Sequence, residues 1–491
     1  MGTIQRQGLI NIIIVYIGVV LGFVNAVIIQ PHFMKQDDVG LARIIFNFSG
    51  FLTPFLLVGS SNMCLKYFPV FRDREKKHHG FLGFMLLITL TGIVLVGLVL
   101  FLIKGWIVDA YKDESAQFVH YFGLTFLLGA IMSLTIAMNI YSSSLFRTTF
   151  PSLLNDIWVR ILYIGVTLIY AFGLISLDAF VWGILLTYLS QLLFLFIYVY
   201  SIDRPGLRID WPFVKSVGLR SILRFCFLIM LSAMSTLSMK FLDGIMIGAY
   251  LPLKYVAIFT TGAFIAQFIE TPINPVERIA GARIAHAFRD NNMHEIKEIY
   301  YRSVRYLFLL GGFLVVCVIT GIHDFLLLIS HDYSGAANVT IILSIGSIIN
   351  MATGVNSPIL QNSANYIWGT IFLFILLVLS VVLNLLFIPR FGIEGAAIAT
   401  GLASALYNIL KFIYIWKKFG LQPYDMRTLK TIVVIGISLV VGLLVSVNDN
   451  PWLSLALKGI SIAAVYAAAT YFLSIIPEYH DVVLKKVFRK R

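Results

Sequence analysis

The chain has 491 residues, of which 59% are hydrophobic and 12% are charged; its formal net charge is +13 and its mean hydropathy is +0.90. Soluble globular proteins contain about 45–50% apolar and about 25% charged residues, so this chain could not cover its surface with polar groups in water. The composition therefore excludes a soluble enzyme, a disordered chain and a collagen-like chain, and three cysteines exclude a disulfide scaffold. We expect an all-α polytopic membrane protein.

Fourteen apolar segments are candidates for transmembrane helices, since one helix needs about 20 apolar residues to cross the hydrocarbon core. They lie at 9–30, 44–66, 80–103, 117–141, 153–175, 179–200, 222–250, 256–280, 304–329, 338–361, 367–388, 395–416, 431–447 and 452–476. The connections between them are too short for a separate soluble domain. We therefore expect any substrate to be handled inside the helical bundle.

The basic residues predict how the chain is oriented. With a cytoplasmic N-terminus and fourteen alternating spans, 28 of the 37 Lys and Arg residues fall in cytoplasmic segments or near the cytoplasmic ends of spans, and six fall in outside loops. Cytoplasmic loops of membrane proteins carry this excess, so the distribution predicts that both termini are cytoplasmic. The positive charge is then a sign of topology and of contact with the lipid bilayer, and it does not indicate a nucleic-acid partner.

The sequence also predicts a division into domains. A connection with two prolines and mixed charge separates spans one to six from spans seven to twelve. The predicted parts are an N-terminal bundle at 1–200, a cytoplasmic linker at 201–221, a second six-helix bundle at 222–416, and a final helix pair with a basic tail at 417–491. Faint similarities between the halves predict parallel repeats offset by six spans.

Span seven carries two ionisable residues, Lys240 and Asp243, three positions apart on one helical face. Ionisable groups at mid-span cost at least about 2.5–3.5 kcal/mol each, so they usually face a cavity or a partner. In one interpretation Lys240 contacts an anionic substrate, and Asp243 tunes it or carries a coupling proton. In the other, the two residues neutralise each other and hold helices together.

Span five carries Asn155, Asp156 and Arg160. Asp156 lies near the inner end, where it can reach the interface and act as an anchor. Arg160 lies deeper and is a candidate cavity residue.

Span eight has a polar stripe on one helical face, interrupted by Pro272 and Pro275. The stripe consists of Gln267, Glu270, Asn274 and Glu277. A water-filled path tolerates a proline-broken polar helix, and there Gln267 and Asn274 would contact substrate while Glu270 would be a cavity acid. The alternative is ordinary hydrogen bonding between helices.

Several other chemistries are not indicated. The histidines lack the spacing of a metal site and the chain has no phosphate-binding loop, so we expect no metal, cofactor or catalytic residue. Glycines four positions apart, at Gly18 and Gly22 and at Gly244 and Gly248, predict close helix packing.

The chain resembles the polysaccharide-exporting flippases of the multidrug/oligosaccharidyl-lipid/polysaccharide superfamily. The most characteristic stretch is IPRFGIEGAAIATGLASAL at 388–406, where one span ends and the next begins after a short Gly-rich turn. Stretches at 39–71, 241–262 and 288–308 are similar to the same family, in the same order.

This resemblance implies two bundles in a V-shaped, alternating-access arrangement in a bacterial inner membrane. It also implies a substrate, an oligosaccharide on a polyprenyl diphosphate, that is moved to the outer leaflet for polysaccharide or O-antigen biosynthesis, with polymerase and glycosyltransferase machinery as partners. In such flippases basic cavity residues hold the diphosphate, and Lys240 and Arg160 match by position type. Span one offers Asn11, Asn25 and Gln30 but no arginine, so Arg43 is a possible supplement.

Two other functions stay open. A cation-coupled drug exporter of the same superfamily would need acidic cavity residues and typically has twelve spans, whereas deep Lys and Arg residues and fourteen predicted spans are present here. For the flippase, Asp243 and Glu270 could titrate across a proton gradient, or the flip could run down a substrate gradient. An integral membrane polymerase or glycosyltransferase would need a sizeable outside loop, and the longest outside loops here, near 31–43 and 104–116, are short.

Overall fold

The computed structural model describes residues 3–234, 239–445 and 450–476, and in these residues the regular structure is entirely helical. The helices are α1 (Thr3–Phe23), α2 (Gln30–Phe33), α3 (Gln36–Leu57), α4 (Ser60–Phe71), α5 (Phe81–Tyr111), α6 (Ala116–Ser144), α7 (Thr149–Leu153), α8 (Val159–Ala171), α9 (Leu177–Asp203), α10 (Trp211–Val217), α11 (Leu219–Ala233), α12 (Met239–Tyr250), α13 (Leu253–Glu270), α14 (Ile273–Arg289), α15 (Met293–Ile329), α16 (Ala336–Ala352), α17 (Asn356–Asn362), α18 (Tyr366–Phe419), α19 (Met426–Leu444) and α20 (Pro451–Phe472). Two π-helical segments, Val24–Ile29 and Leu154–Trp158, join α1 to α2 and α7 to α8.

Within the described residues, ten helical segments are long and apolar enough to cross a membrane. Two bent pairs raise the number to as many as twelve: α13 with α14, bent by 41°, and α16 with α17, bent by 51°. The predicted all-α polytopic fold is confirmed, and the number fourteen stays a prediction.

Helix α18 contains a break that matters for this number. Its 54 residues would extend about 80 Å at 1.5 Å per residue, more than twice the thickness of a bilayer core. Gly392 interrupts it with φ 60° and ψ −136°, a conformation open to glycine alone. At Gly395 a Cβ atom would lie 2.2 Å from the carbonyl oxygen of Phe387, so the glycines of the characteristic stretch allow the chain to turn tightly.

The chain forms two compact units, Met1–Thr260 and Thr261–Arg491. Helices α11 and α12, which belong to the second predicted bundle, pack within the first unit. The predicted division into 1–200, 201–221, 222–416 and 417–491 stays a prediction.

Close packing at the paired glycines is confirmed in the first unit. A Cβ atom on Gly18 would lie 2.6 Å from the carbonyl oxygen of Asp156, which brings α1 against the second π-helical segment. A Cβ atom on Gly244 would lie 1.9 Å from Asn47 Nδ2, which brings α12 against α3.

A left-handed turn binds the loop after α4 to the linker between α9 and α10. Lys77, His78 and His79 have φ values of 48°, 56° and 50°. The turn is held because the backbone N–H of Asp210 donates to the His79 carbonyl (3.1 Å) and His79 Nδ1 lies 2.8 Å from Asp210 Oδ2. His78 Nδ1 accepts from the backbone N–H of Asp73 at 3.0 Å, so its Nε2 donates to Asp203 Oδ1 at 3.1 Å.

In the second unit, an ion pair joins α20 to α15. Lys458 Nζ lies 2.7 Å from Asp324 Oδ2 and donates to the Thr320 carbonyl at 2.9 Å. Ser454 also donates to Asp324, at 2.7 Å, so the carboxylate is well satisfied within the helical packing.

Candidate functional site

Arg160 lies two residues after the π-helical segment Leu154–Trp158 and directly against α1. Its guanidinium packs on Gly22, where a Cβ atom would lie 1.8 Å from Arg160 Nη1. The π-helical geometry of Leu154–Trp158 adds a residue to the turn that carries Asn155 and Asp156. Such bulges often occur at functional sites. The predicted cavity arginine is therefore half-buried and held close to the backbone of span one.

Arg43 anchors a second polar cluster in the same unit. Its Nη2 donates to Gln30 Oε1 at 2.7 Å and to the Ala26 carbonyl at 3.1 Å. Gln30 is fully buried and donates onward to the hydroxyl of Tyr163 at 2.8 Å. The Ala26 carbonyl that accepts from Arg43 belongs to the first π-helical segment, Val24–Ile29.

Aromatic side chains connect the two arginine clusters. Phe46 makes edge contacts with Tyr163 and Tyr188, each with ring centroids 5.5 Å apart. Arg43 acts electrostatically on Tyr163, and Arg160 acts on Tyr188. Residues of α3, α8 and α9 therefore bring two cations that are 117 positions apart in sequence into one region of the first unit.

The predicted residues of span seven lie on α12 in the same unit. Lys240 is exposed and follows residues 235–238, which are outside the described part of the chain, and Asp243 is half-buried one turn later. The adjacent Gly244 packs on Asn47, one helical turn beyond Arg43 on α3. The roles predicted for Lys240 and Asp243 stay predictions.

The predicted polar stripe of span eight straddles the 41° bend between α13 and α14 in the second unit. Gln267 and Asn274 are exposed, whereas Glu270 and Glu277 are half-buried. The stripe is therefore split: the amides face outward and the two acids turn toward the packing of the unit.

Lys411 is the residue of this region that sequence reasoning missed. It is 2% exposed on α18, and its Nζ donates to Asn356 Oδ1 at 2.9 Å and Ser357 Oγ at 3.0 Å. Glu277 and Glu270 both act on it electrostatically. Tyr407, one turn earlier on α18, places its ring centroid 4.0 Å from Lys411 Nζ.

The described residues contain no group of three or more His, Cys, Asp or Glu side chains placed to hold a metal ion. The polar chemistry of both units consists of fixed charges, amides and hydroxyls. Such groups can bind an anion, a proton or a hydroxyl-rich molecule.

These features define a multi-pass, all-α membrane protein with charged clusters inside each of its two helical units. A family model described as polysaccharide biosynthesis protein matches residues 32–318. Because the match spans more than half of the sequence, the chain belongs to this family, and the resemblance noted from the sequence is confirmed. No match was found among curated proteins.

Solved structures show the same fold. Lipid II flippase MurJ, in an inward closed conformation, has a TM-score of 0.75 at 15% identity, with 97% of this chain and 100% of that chain covered. An inward-facing multidrug resistance MATE family transporter of the MOP superfamily has a TM-score of 0.62 at 16% identity, covering 86% and 95%. A MOP superfamily transporter from Pyrococcus furiosus has a TM-score of 0.56 at 15% identity, covering 85% and 95%. This chain therefore has the fold of the MOP superfamily.

Proposed function

We propose that this chain is a flippase that moves an oligosaccharide linked to a polyprenyl diphosphate from the inner to the outer leaflet of a bacterial cytoplasmic membrane. The translocation would proceed by alternating access and supply cell-surface polysaccharide or O-antigen biosynthesis. Polysaccharide polymerase and glycosyltransferase machinery would then act on the same lipid-linked intermediate. Membership of the polysaccharide biosynthesis family supports this class of substrate.

The observation that carries the proposal is the pair of arginine clusters in the first unit. A diphosphate is a compact anion, and guanidinium groups bind phosphate oxygens through paired hydrogen bonds. Arg43 and Arg160 are both half-buried, so their charges are less screened than those of surface residues. Lys240, exposed on α12, supplies a third cation in the same unit.

The surroundings of the arginines suit a substrate that must bind and leave. Gln30 and the Ala26 carbonyl hold one edge of the Arg43 guanidinium, so the group is positioned before substrate arrives. Tyr163 and Tyr188 add hydroxyls and aromatic faces of the kind that contact sugars and lipid-linked headgroups. Gln267 and Asn274, exposed on α13 and α14, are the proposed glycan contacts of the second unit.

The proposal predicts that removal of either arginine impairs translocation. Purified protein is reconstituted in liposomes with a fluorescent polyprenyl diphosphate oligosaccharide, and transfer between leaflets is measured. Charged hydrogen bonds contribute about 1.5–3 kcal/mol, so we expect Arg160→Ala and Arg43→Gln each to slow transfer about 10- to 100-fold. Lys240→Ala should also slow transfer, with a smaller effect because its ammonium is exposed.

Lys112→Gln is the matched control. Lys112 is an exposed cation of the same unit that pairs with Asp109 at 3.0 Å, so its loss should leave transfer unchanged. Normal transfer in all three cavity variants would keep the function and reject this site. Absence of transfer by the wild-type protein with its native sugar repeat would favour export of a small molecule.

A further inference from the structure

The ammonium of Lys411 is held inside the second unit by three kinds of neighbour. A lysine ammonium has three N–H donors. Two donate to Asn356 Oδ1 and Ser357 Oγ, and the ring of Tyr407 lies 4.0 Å away as a cation–π partner. The charge is therefore positioned by uncharged groups, and the side chain is only 2% exposed.

The charges that act on Lys411 are the carboxylates Glu277, on α14, and Glu270, on α13. Helices α16 and α17, which pack along α18, contain no acidic or basic residue. On α18 itself, Lys417 and Lys418 are exposed in the last turn. Two carboxylates and one ammonium give this cluster a net charge of −1 when all three are ionised.

A net charge inside a helical bundle is costly because the low-dielectric surroundings solvate it poorly. Binding one proton makes the cluster neutral without any other ion. The Nδ2 atom of Asn356 is buried and has no hydrogen-bond partner among the described residues, so it is an available donor for a carboxyl oxygen. The cluster therefore gains stability by accepting a proton, since its one ammonium neutralises only one of its two carboxylates.

The cluster also lies where two spans are broken. Glu270 is the last residue of α13, before the 41° bend, and Asn356 is the first residue of α17, after the 51° bend. Gly354 has a φ of 58° and permits the second bend. Loss or gain of one charge here changes the attraction between α13, α14, α17 and α18 at the points where their direction changes.

We propose that Glu270, Glu277 and Lys411 form a binding site for one proton, and that this proton couples the transmembrane proton gradient to translocation. The proton is taken from water by a carboxylate oxygen, and it returns to water when the site opens on the other side. The proton site depends only on residues of the second unit. The use of this proton in transport rests on the proposed function.

Proton binding can be measured without any substrate. In purified protein, infrared difference spectra follow the carbonyl band of protonated carboxyl groups as the pH is lowered from neutral. Carboxyl groups outside the cluster contribute equally to the wild type and the variants, so the difference between their spectra isolates the cluster, and we expect it to contribute one such group in the wild-type protein. Glu277→Gln leaves one carboxylate and one ammonium, so the cluster is neutral and the band should disappear. Lys411→Met leaves two carboxylates and no cation, so two protons should bind.

Glu394→Gln is the matched control, because Glu394 lies on the same helix α18 and accepts from Asn338 at 2.6 Å, away from the cluster. This variant should keep the wild-type band. The double variant Glu277→Gln/Lys411→Met keeps only the carboxylate of Glu270 and should bind one proton. This result would show that the missing band of Glu277→Gln does not come from misfolding. An identical band in wild type and Glu277→Gln would overturn the proton site.

Transport provides the second readout. In proteoliposomes, an imposed pH gradient should speed wild-type transfer of the fluorescent lipid-linked oligosaccharide and should have no effect on Glu277→Gln. Acceleration by a sodium gradient at constant pH would overturn the coupling. If the infrared band behaves as expected but the wild-type protein moves no lipid-linked oligosaccharide, the proton site stands and the proposed function fails.

Discussion

Two glycines one turn apart on α1, Gly18 and Gly22, contact different kinds of atoms. The atom nearest to a Cβ on Gly18 is the backbone oxygen of Asp156, at 2.6 Å, and backbone cannot move without shifting the helix. The atom nearest to a Cβ on Gly22 is Arg160 Nη1, at 1.8 Å, the flexible end of a long side chain.

We therefore expect Gly18→Ala to lower the free energy of unfolding by about 1–3 kcal/mol, the usual cost of overpacking. Gly22→Ala should displace the Arg160 guanidinium, leaving thermal stability close to wild type and slowing leaflet transfer. Thermal unfolding in detergent and the liposome assay, applied to both variants, give the two measurements. A Gly22→Ala protein with normal transfer would show that the position of Arg160 on α1 is irrelevant to function.

Single residues also show what the sequence could predict. Arg160 and Glu270 stand out because charge is unusual in apolar spans, and the glycine pairs stand out because of their spacing of four residues. Lys411 does not stand out in the sequence, because it lies only six residues before Lys417, near the end of a predicted span. A lysine at such a position usually extends its ammonium group to the membrane interface. The burial of Lys411 depends on α17, which reaches it only after a bend, and no local pattern specifies that approach.

At the scale of elements, long apolar runs predicted the helices because a membrane leaves the backbone no other way to satisfy its hydrogen bonds. The π-helical segments were not predictable, because one extra residue per turn leaves the hydrophobic pattern almost unchanged. Yet the first segment contains the Ala26 carbonyl that accepts from Arg43, and the second segment ends two residues before Arg160. The apolar pattern thus predicts where the chain crosses, and long-range contacts determine how the site is shaped.

The turn at His79 is an element whose docking depends on pH. The hydrogen bond from His79, together with one from the Phe213 N–H, holds the pKa of the Asp210 carboxyl below its usual range. A depressed pKa means that the ionised form stabilises the folded linker. This contribution is present above the ordinary value of about 3.9 and is lost as the pH falls through the lower value in the folded protein.

We therefore expect Asp210→Asn to detach the linker from the turn already at neutral pH. Lowering the pH of this variant should then cause no further detachment. Cleavage after Arg208 by trypsin measures that detachment at neutral pH, and cleavage of residues 203–213 by pepsin, compared with Asp210→Asn at each pH, measures it in acid. Asp113→Asn, at an exposed position outside the linker, is the control and should behave as wild type. A wild-type linker that is cut equally at all acid pH values would contradict the role of Asp210.

At the scale of the whole molecule, topology is the property on which the other proposals depend. The proposed proton uptake at Glu277 and the proposed lipid binding at Arg160 each require that the site open to a defined side of the membrane. The distribution of basic residues predicts fourteen spans with both termini inside. The break at Gly392 supports two separate spans within α18, because a helix of 54 residues exceeds what one crossing needs.

Single cysteines labelled with a membrane-impermeant maleimide test this topology. Cys64 and Cys226 are buried and Cys317 is half-buried in a predicted span, so the background reaction should be low. We expect Lys112→Cys and Arg390→Cys to react from the outside of intact cells, because both lie in predicted outside loops. Lys418→Cys should react only after the membrane is opened. Reaction of Arg390→Cys and Lys418→Cys from the same side would mean that the chain between residues 390 and 418 does not cross the membrane, and the sidedness of both proposed sites would have to be reassigned.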